Sequence, residues 1–232
     1  MLDHGPDATR MTIPDYTQGL RETLKVEELG RTWLLNRMAD LETLWENMSH
    51  EEFGEDERMP YWAELWPASL LLTRWLSRRR EDIQGRMCLD VGCGLGLTAI
   101  VGGWLGAKVV GMDHQWPAVF FSRENAALNN VPQPLWTRMD WSSPAFKPGV
   151  FDFMWAGDII YEKRFHQPLM ALFKEHLAPS GRIWLAEPGR SVSHEVWDKL
   201  RQQGFTATKL FSEPVPVEGY HVTVNLWEVR KA

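Results

Sequence analysis

Apolar and polar positions follow two different periods along most of this chain. From residue 86 onward, short apolar runs alternate with segments in which apolar side chains recur every three or four residues. The run 86–91 is followed by Leu97, Ile100 and Val101 on one helical face, and then by the run 108–113. Such alternation is typical of parallel strands joined by crossover helices. The pattern therefore predicts an α/β fold with a doubly wound parallel sheet.

The same two periods predict the later elements and the end of the sheet. They indicate helices over 117–130, 165–177 and 193–203, and strands over 135–139, 150–158, 182–188, 205–211 and 221–229. The last two strands have no helix between them, so we expect them to pair antiparallel. The prediction is a Rossmann-like sheet of seven strands that ends in a C-terminal antiparallel hairpin.

The first 59 residues lack this alternation and are predicted to form a small N-terminal extension. Two apolar-rich runs, 23–29 and 31–38, flank Gly30 and indicate a hairpin. Asp40 would cap a short helix, and five carboxylates within 49–58 indicate a solvated linker. An acidic lip for a basic substrate is the alternative interpretation of that segment. We therefore divide the chain into an extension, 1–59, and a main domain, 60–232.

Composition narrows the class of protein. With 232 residues, of which 44% are hydrophobic, the chain can bury the core of one domain. Its formal charge of −6 disfavours broad contact with nucleic acid or with an anionic membrane. Cys88 and Cys93, the only cysteines, suit neither a disulfide framework nor a zinc site, and no apolar run is long enough to span a membrane. We expect a cytoplasmic monomer without a bound metal.

The strongest chemical signal is the stretch CLDVGCGLG at 88–96. A strand ends in Asp90, and Gly92, Gly94 and Gly96 form a loop that opens a helix, so a ligand can approach the backbone where no Cβ intervenes. Asp113 ends the next strand about 20 residues later, where a carboxylate can accept hydrogen bonds from both hydroxyls of a ribose. A plain tight turn is the alternative for the loop alone. Together the two features predict a nucleoside pocket.

The details of the loop indicate which nucleoside it binds. The dinucleotide pattern is G-x-G-x-x-G, whereas here the third glycine comes one residue early. The carboxylate of Asp90 would repel a pyrophosphate, but it suits a ligand whose tail carries an ammonium group. We therefore predict S-adenosylmethionine, a methyl donor, as the cofactor.

These residues resemble the class I, seven-β-strand methyltransferases that use S-adenosylmethionine, over the range 60–232. The stretch GDIIYE at 157–162 has the D-x-x-Y pattern of the protein-methylating branch, whose members mostly modify lysine. PYWAELWPAS at 60–69 and AEPGR at 186–190 are similar to that branch's aromatic-proline segment and fifth-strand ending. Within that branch, the chain resembles the group that methylates the electron-transfer flavoprotein β-subunit. Ala68 and Ser69 replace the glycines typical of that group, which leaves the protein substrate open.

The resemblance implies a set of cofactor-binding residues in this chain. The loop Gly92–Gly94, which includes Cys93, would line the methionine part of the cofactor, and Asp113 would bind the ribose. The adenine would contact Asp140 and Trp141. The wider set also includes Trp66, Asp90, Gly96 and Gly157. Trp66 would form a wall of the pocket just before Pro67 starts a helix, with packing of the N-terminal segment as its alternative role.

The resemblance also implies two catalytic residues. Asp158, at the carboxyl end of its strand, would orient the incoming lysine amine, and Tyr161 would make an aromatic or hydroxyl contact to the same nitrogen. The amine must be neutral to attack, although a free lysine has a pKa of about 10.4. A purely structural alternative for Asp158 is the N-cap of the following helix.

Two other classes of function stay open from the sequence. A methyltransferase for a small-molecule amine or hydroxyl would use the same glycine loop, because a fold does not fix a function. An enclosing lid would favour that alternative, and an open groove would favour a protein that presents a lysine. A non-enzymatic interaction protein would have no need of Asp90, Asp113 and Asp158. A base-modifying enzyme is disfavoured, because the fourth strand does not end in an N-P-P-Y type of sequence and the chain is acidic.

Overall fold

The structure is a computed structural model that describes residues 21–39, 60–217 and 219–232. The predicted short helix at Asp40 and the predicted acidic linker over 49–58 lie outside these ranges. Within the described residues, no helix is long and apolar enough to cross a membrane.

The order of elements follows the predicted alternation closely. The strands are β1 (Arg21–Glu28), β2 (Arg31–Met38), β3 (Met87–Val91), β4 (Lys108–Asp113), β5 (Leu135–Arg138), β6 (Phe151–Gly157), β7 (Leu177–Glu187), β8 (Phe205–Val217) and β9 (Tyr220–Lys231). The α-helices are α1 (Pro67–Arg78), α2 (Arg80–Ile83), α3 (Leu97–Trp104), α4 (Trp116–Leu128), α5 (His166–His176) and α6 (His194–Gln202). Short 3₁₀ turns occur at Tyr61–Ala63, Lys163–Phe165 and Ser191–Ser193.

The main sheet has seven strands within the described residues, in the order β5-β4-β3-β6-β7-β9-β8. Strands β3 to β7 run parallel to one another, and β9 pairs antiparallel with both β7 and β8. The predicted fold is therefore confirmed. The chain winds outward through β4 and β5 on one side of β3, and through β6 and β7 on the other. Ligands bind at such a switch point, beyond the carboxyl ends of the central strands.

Helices cover both faces of this sheet, so its central strands are buried on both sides. On one face, Leu72 of α1 and Ile100 of α3 share a core cluster with Trp155 of β6. On the other face, Leu172 of α5 shares a second cluster with Met154 of β6. Neighbouring residues of one strand thus enter opposite cores, which explains why the parallel strands appear as nearly continuous apolar runs.

The C-terminal hairpin is longer than the sequence predicted. The segment 212–220 was expected to be a loop because it contains Pro214 and Pro216, yet β8 continues to Val217 and pairs with β9 along its length. A proline lacks the N–H that a central strand needs, but β8 lies at the edge of the sheet and has one partner there. Pro214 and Pro216 are two residues apart, so their backbone nitrogens face the same side of the strand, which is the side without a neighbouring strand. Strand β7 likewise begins at Leu177, earlier than the predicted 182.

The predicted N-terminal hairpin is present as β1 and β2, and Asn125 of α4 and Asn129 at the end of that helix hold it against the main domain. Asn125 accepts a hydrogen bond from the Asn36 N–H at 2.7 Å and donates to the Asn36 carbonyl at 3.2 Å. Asn129, one helical turn later, bonds the N–H and the carbonyl of Leu34 in the same way, at 2.9 and 2.7 Å. The two amides satisfy the edge of β2 as a neighbouring strand would.

Candidate functional site

A cleft of about 300 Å³ opens at the switch point, beyond the carboxyl ends of β3, β4 and β6. Eight of the predicted site residues line it: Trp66, Gly92, Gly94, Asp113, Trp141, Gly157, Asp158 and Tyr161. Four others do not: Asp90, Cys93, Gly96 and Asp140. The cleft wall also includes residues that the sequence did not single out, among them His114, Gln115 and Arg190. Most of the predicted cofactor and catalytic residues therefore meet in one place.

The glycine loop forms the floor of the cleft. Gly92 has a φ of +69°, and a Cβ at this position would lie 2.9 Å from Cγ2 of Ile159 and 3.6 Å from the ring of Trp141. The Gly92 and Cys93 N–H groups both donate to the carbonyl of Met112 in β4, at 2.9 Å each. The loop is thus tied to the neighbouring strand, and the space above Gly92 is free of any side chain of its own.

Asp113 is positioned by the backbone of this loop. Its Oδ2 accepts a hydrogen bond from the Gly94 N–H and its Oδ1 accepts one from the Gln115 N–H, both at 3.0 Å. Burial raises the pKa of the Asp113 carboxyl, while these two N–H donors act in the opposite direction. Each oxygen has further acceptor capacity toward the cleft. Asp113 can therefore accept hydrogen bonds from a pair of hydroxyl groups such as those of a ribose.

Asp90 lies beneath the loop instead of on the cleft wall. It is 1% exposed, and its Oδ2 accepts a 2.6 Å hydrogen bond from the hydroxyl of Thr98 in α3. Burial raises the pKa of its carboxyl to about 7, with the Thr98 hydroxyl opposing the rise. The predicted contact between Asp90 and an ammonium group of the cofactor stays a prediction.

Cys93 and Gly96 support the loop from behind. The Cys93 Sγ lies 3.7 Å from the Ser122 hydroxyl, which donates a 2.7 Å hydrogen bond to the Gly94 carbonyl. Burial raises the pKa of the Cys93 thiol, so this sulfur is held as an uncharged group. Gly96 caps α3 and packs against Ser122. Both residues shape the loop that lines the cleft.

The predicted adenine contacts Asp140 and Trp141 lie differently. Asp140 Oδ1 accepts hydrogen bonds of 2.7 Å from the backbone N–H and the hydroxyl of Ser142, and the side chain stays outside the cleft wall. Trp141 lines the cleft and meets Phe165 edge to face, with ring centroids 5.2 Å apart. The ring of Trp141 is thus available for contact with a bound base. Asp140 forms an Asx turn just after β5.

Aromatic rings from two segments form the wall opposite the glycine loop. Pro67 begins α1, as predicted, and Trp66 immediately before it donates from Nε1 to the Tyr61 carbonyl at 2.8 Å. The Tyr61 ring lies 6.0 Å from that of Trp66 and 5.1 Å from that of Tyr161. The aromatic-proline segment thereby joins the D-x-x-Y segment. Trp62 also lines the cleft, and its ring stacks on Phe121 with ring centroids 5.7 Å apart.

Asp158, the residue directly after β6, has an unusual backbone conformation. Its φ is +54°, a left-handed value that aspartate tolerates better than most residues. Its N–H donates to the Ala186 carbonyl of β7 at 2.8 Å. The next helical turn begins at Lys163 with Glu162 at its N-cap position, so Asp158 does not serve as the N-cap that the structural alternative predicted.

Arg190 binds the Asp158 carboxylate through both of its oxygens. Nε donates to Oδ1 at 3.0 Å and Nη2 donates to Oδ2 at 2.6 Å. Burial raises the pKa of the Asp158 carboxyl, and the guanidinium opposes that rise. Arg190 is the last residue of the AEPGR stretch, and no role for it was predicted from the sequence. Nothing in local spacing reports a pair 32 residues apart, although both follow adjacent parallel strands, which was the available signal.

A buried carboxylate fixes the segment that carries Arg190. Glu187, 2% exposed, accepts hydrogen bonds from the Gly189 N–H at 2.6 Å and the Ser193 hydroxyl at 2.8 Å. Its other oxygen accepts from Asn225 Nδ2 at 2.9 Å and Trp227 Nε1 at 3.1 Å. Four donors on one carboxylate tie the turn after β7 to β9, so Arg190 starts from a rigid base.

The cleft fits S-adenosylmethionine in the chemistry that its residues supply. Asp113 offers a carboxylate to ribose hydroxyls, and the glycine loop offers a backbone that a ligand can approach closely. Trp141 offers a ring to a base, and Trp66 and Tyr61 offer aromatic surface, which attracts a cation such as a sulfonium. The cleft volume of about 300 Å³ lies within the range of small-molecule sites.

A seven-stranded sheet with this antiparallel ending and this cleft defines the class I methyltransferase fold. Comparison with protein families agrees: a family model described as ribosomal protein L11 methyltransferase (PrmA) matches residues 70–212, more than half of the chain. The chain belongs to this family. The resemblance recognised from the glycine loop and the D-x-x-Y stretch is therefore confirmed.

Similar proteins include lysine methyltransferases. The chain is 33% identical to the electron transfer flavoprotein beta subunit lysine methyltransferase of Danio rerio over 57% of this chain and 51% of that protein. It is 27% identical to the protein N-lysine methyltransferase METTL21A of Mus musculus over 66% of this chain and 72% of that protein. The chain spans about half the length of the flavoprotein-directed relatives it matches.

Among solved structures, the chain is similar to the 16S rRNA N2 G1207 methyltransferase RsmC of T. thermophilus, solved in complex with AdoMet and guanosine. The TM-score is 0.64 and the identity 18%, over 92% of this chain and 51% of that one. At this identity the likeness concerns the fold.

Proposed function

We propose that this protein transfers a methyl group from S-adenosylmethionine to the side-chain amine of a lysine in a protein substrate. The observation that carries the proposal is that one cleft unites the glycine loop and Asp113 with Asp158 and Tyr161 of the D-x-x-Y segment. The family and the names of the relatives support a methyltransferase and, among acceptors, a protein lysine.

Specific residues would hold the cofactor. Asp113 would accept hydrogen bonds from the ribose, Gly92 and Gly94 would let the methionine part approach the backbone, and Trp141 would contact the adenine. When bound, S-adenosylmethionine supplies an electrophilic methyl group on a positively charged sulfur. Trp66 would cover the cofactor from the opposite wall.

The acceptor would enter beside the aromatic wall. Tyr61 and the Arg190 side chain are each 41% exposed at the cleft, so a long, narrow side chain can reach it from solvent. Tyr161 would contact the acceptor nitrogen or its methylene groups. We call the part of the cleft lined by Tyr61, Tyr161, Asp158 and Arg190 the acceptor half. Asp158 and Arg190 would act there together, because Arg190 binds both oxygens of the Asp158 carboxylate.

We further propose a cytoplasmic protein that acts as a monomer and does not bind nucleic acid. The formal charge of −6 supports the last point. Cys88 and Cys93 are both free and buried, which suits a reducing compartment.

The proposal is tested by incubating the purified protein with methyl-labelled S-adenosylmethionine and three acceptor samples. These are the electron-transfer flavoprotein β-subunit and ribosomal protein L11, which the names of the relatives suggest, and a cell extract. We expect label in a protease-sensitive band, and mass spectrometry should place the methyl group on a lysine Nζ. Label only in small solutes would instead support the small-molecule alternative.

Two matched glycine variants control this assay. Gly92 and Gly85 have φ values of +69° and +74°, so Gly92→Ala and Gly85→Ala introduce similar backbone strain. The new methyl group would strike Ile159 in the cleft at Gly92, whereas nothing lies within 4 Å at Gly85. Labelling should be lost in Gly92→Ala and kept in Gly85→Ala. Equal labelling by both would separate the activity from this cleft.

A further inference from the structure

Of the paired residues Arg190 and Asp158 in the cleft, Arg190 is the one presented to solvent, and Asp158 lies behind it. The Asp158 side chain is 6% exposed, while that of Arg190 is 41% exposed. Each oxygen of Asp158 accepts one hydrogen bond from the guanidinium, Oδ1 from Nε and Oδ2 from Nη2. An incoming side chain therefore meets a cation before it meets a carboxylate.

We propose that Arg190, held in place by Asp158, keeps the acceptor lysine in its neutral, nucleophilic form by facing it with a fixed positive charge. This inference rests on the proposed lysine methylation and assigns a role in it to a residue that the sequence pattern did not mark. Arg190 is then the residue that meets the substrate, and Asp158 is a positioning residue that acts through it.

The chemistry of the transfer requires a neutral amine. The lone pair of the acceptor nitrogen forms the new N–C bond while the C–S bond breaks and its electron pair stays on sulfur. A protonated amine has no lone pair, so its proton must first pass to solvent. A neighbouring cation lowers the pKa of a lysine because it repels the ammonium form, and this is a known means of activating lysine nucleophiles.

An unpaired carboxylate at the same place would have the opposite effect, because it would stabilise the ammonium form. Among the residues that the structure describes, each carboxylate that lines the cleft has a hydrogen-bond or ion-pair partner. Glu162 Oε2 lies 2.7 Å from Arg164 Nε, Asp113 accepts from two backbone N–H groups, and Glu187 accepts from four donors. The other ionisable groups lining the cleft are Tyr61, Tyr161 and His114. Within the described part of the chain, Asp158 is therefore the one carboxylate that is paired with Arg190 in the cleft.

Three contacts fix the direction of the guanidinium. The two hydrogen bonds that the guanidinium donates to Asp158 hold its plane, and the Arg190 Cζ lies 5.9 Å from the centre of the Trp66 ring. Glu187 anchors the backbone of the same turn through the Gly189 N–H. A charge held this way exerts its effect without reorganising during the reaction.

The test is the pH dependence of single-turnover methylation, which reports the bound complex, with whichever acceptor protein the labelling assay identifies. We expect Arg190→Gln to move the midpoint of the rise with pH upward by about one unit and to slow transfer about tenfold at pH 7. Arg190→Lys, which keeps the charge, should restore most of the midpoint. Asp158→Asn leaves the cation without its partner charge and should move the midpoint downward, although the maximal rate falls.

The binding of S-adenosylhomocysteine and the thermal midpoint of each variant serve as controls for cofactor affinity and folding. If Arg190→Gln does not fold, the downward shift in Asp158→Asn remains the decisive observation. An unchanged midpoint in Arg190→Gln, or an upward shift in Asp158→Asn, would overturn the inference. A lower KM in Arg190→Gln would also overturn it. That result would mean that, in the unaltered protein, the acceptor lysine must displace Arg190 from Asp158 to bind. Absence of lysine methylation by the unaltered protein would instead overturn the proposed function.

Discussion

The glycine-loop half of the cleft and the acceptor half differ in how they hold their carboxylates. Asp113 in the first half is bound by backbone N–H groups of Gly94 and Gln115, which are close to it in the same βαβ unit. Asp158 in the second half is bound by a guanidinium from the turn after another strand. The first arrangement depends on the path of the chain, and the second depends on two particular side chains. We therefore expect substitutions to separate cofactor binding from methyl transfer.

The largest effect on stability should come from Asp90, which lies under the first half. Its folded-state pKa of about 7 exceeds its unfolded value near 4, so the native state loses stability as pH rises from about 4 to about 7. Asp90→Asn removes this loss. The variant should gain up to about 4 kcal/mol over the unaltered protein at pH 8, and little at pH 4. Urea unfolding of both proteins across this range measures the difference.

Thr98→Val sharpens that measurement. The Thr98 hydroxyl lowers the pKa of Asp90, so its removal should raise that pKa and extend the loss of stability to higher pH. A stability difference between Asp90→Asn and the unaltered protein that does not vary with pH would mean that Asp90 ionises normally. In that case its carboxylate would be available to a cofactor ammonium, as the sequence predicted.

The next largest effect concerns cofactor affinity. Asp113→Ala removes the acceptor proposed for the ribose and frees two backbone N–H groups of the loop. We expect S-adenosylhomocysteine to bind about 100-fold more weakly, which corresponds to about 2.8 kcal/mol. Calorimetry measures the affinity directly. Asp158→Asn is the matched variant in the acceptor half and should bind S-adenosylhomocysteine with an affinity within about threefold of that of the unaltered protein. Equal losses of affinity in the two variants would contradict the distinction between the halves.

A third prediction concerns the N-terminal hairpin, because α4 connects it to the glycine loop. Asn125, which is fully buried, bonds Asn36 of β2 and also donates to the Leu95 carbonyl of the loop at 3.0 Å. Asn125→Ala should lower the free energy of unfolding by about 2 kcal/mol, since buried polar partners are left unsatisfied. It should also weaken S-adenosylhomocysteine binding severalfold.

Asn129→Ala provides the matched control for the hairpin. Asn129 bonds Leu34 of the same strand, and it makes no hydrogen bond to the glycine loop. A similar loss of stability with unchanged cofactor affinity would show that Asn125 supports the loop specifically. If both variants weaken binding equally, the hairpin acts on the cleft only through general stability.

The sequence predicted the glycine-loop half better than the acceptor half, for a physical reason. The loop, the helix that follows it and Asp113 belong to one βαβ unit, whose geometry is set by glycine positions and strand ends. The parallel, doubly wound sheet followed from the alternation of periods, and the antiparallel ending followed from the lack of a helix between the last two strands. The predicted bounds of β7 and β8 were too short, and for β8 the reason is that its edge position tolerates Pro214 and Pro216.

The Asp158–Arg190 pair could not be read from local pattern. The D-x-x-Y spacing indicated that Asp158 and Tyr161 lie at the end of a strand, and both line the cleft. It carried no information on what would bind the carboxylate, because the partner comes from the turn after β7. The burial of Asp90 was not predicted for a similar reason. A carboxylate at a strand end indicates a site residue, whereas the hydroxyl of Thr98, in the first turn of α3, holds Asp90 beneath the loop.

The smallest effect should come from Tyr161, and it separates the two roles the sequence left open. Its ring lies 5.1 Å from that of Tyr61 and 5.2 Å from that of Phe165, so the ring is held by packing whatever its hydroxyl does. Tyr161→Phe should change kcat/KM by less than about threefold, and Tyr161→Leu should lower it by about tenfold, with cofactor affinity unchanged in both. A large loss in Tyr161→Phe would instead assign the hydroxyl to the acceptor nitrogen. The acceptor half would then depend on a second specific polar contact besides the arginine, and its contrast with the backbone-built half would be greater still.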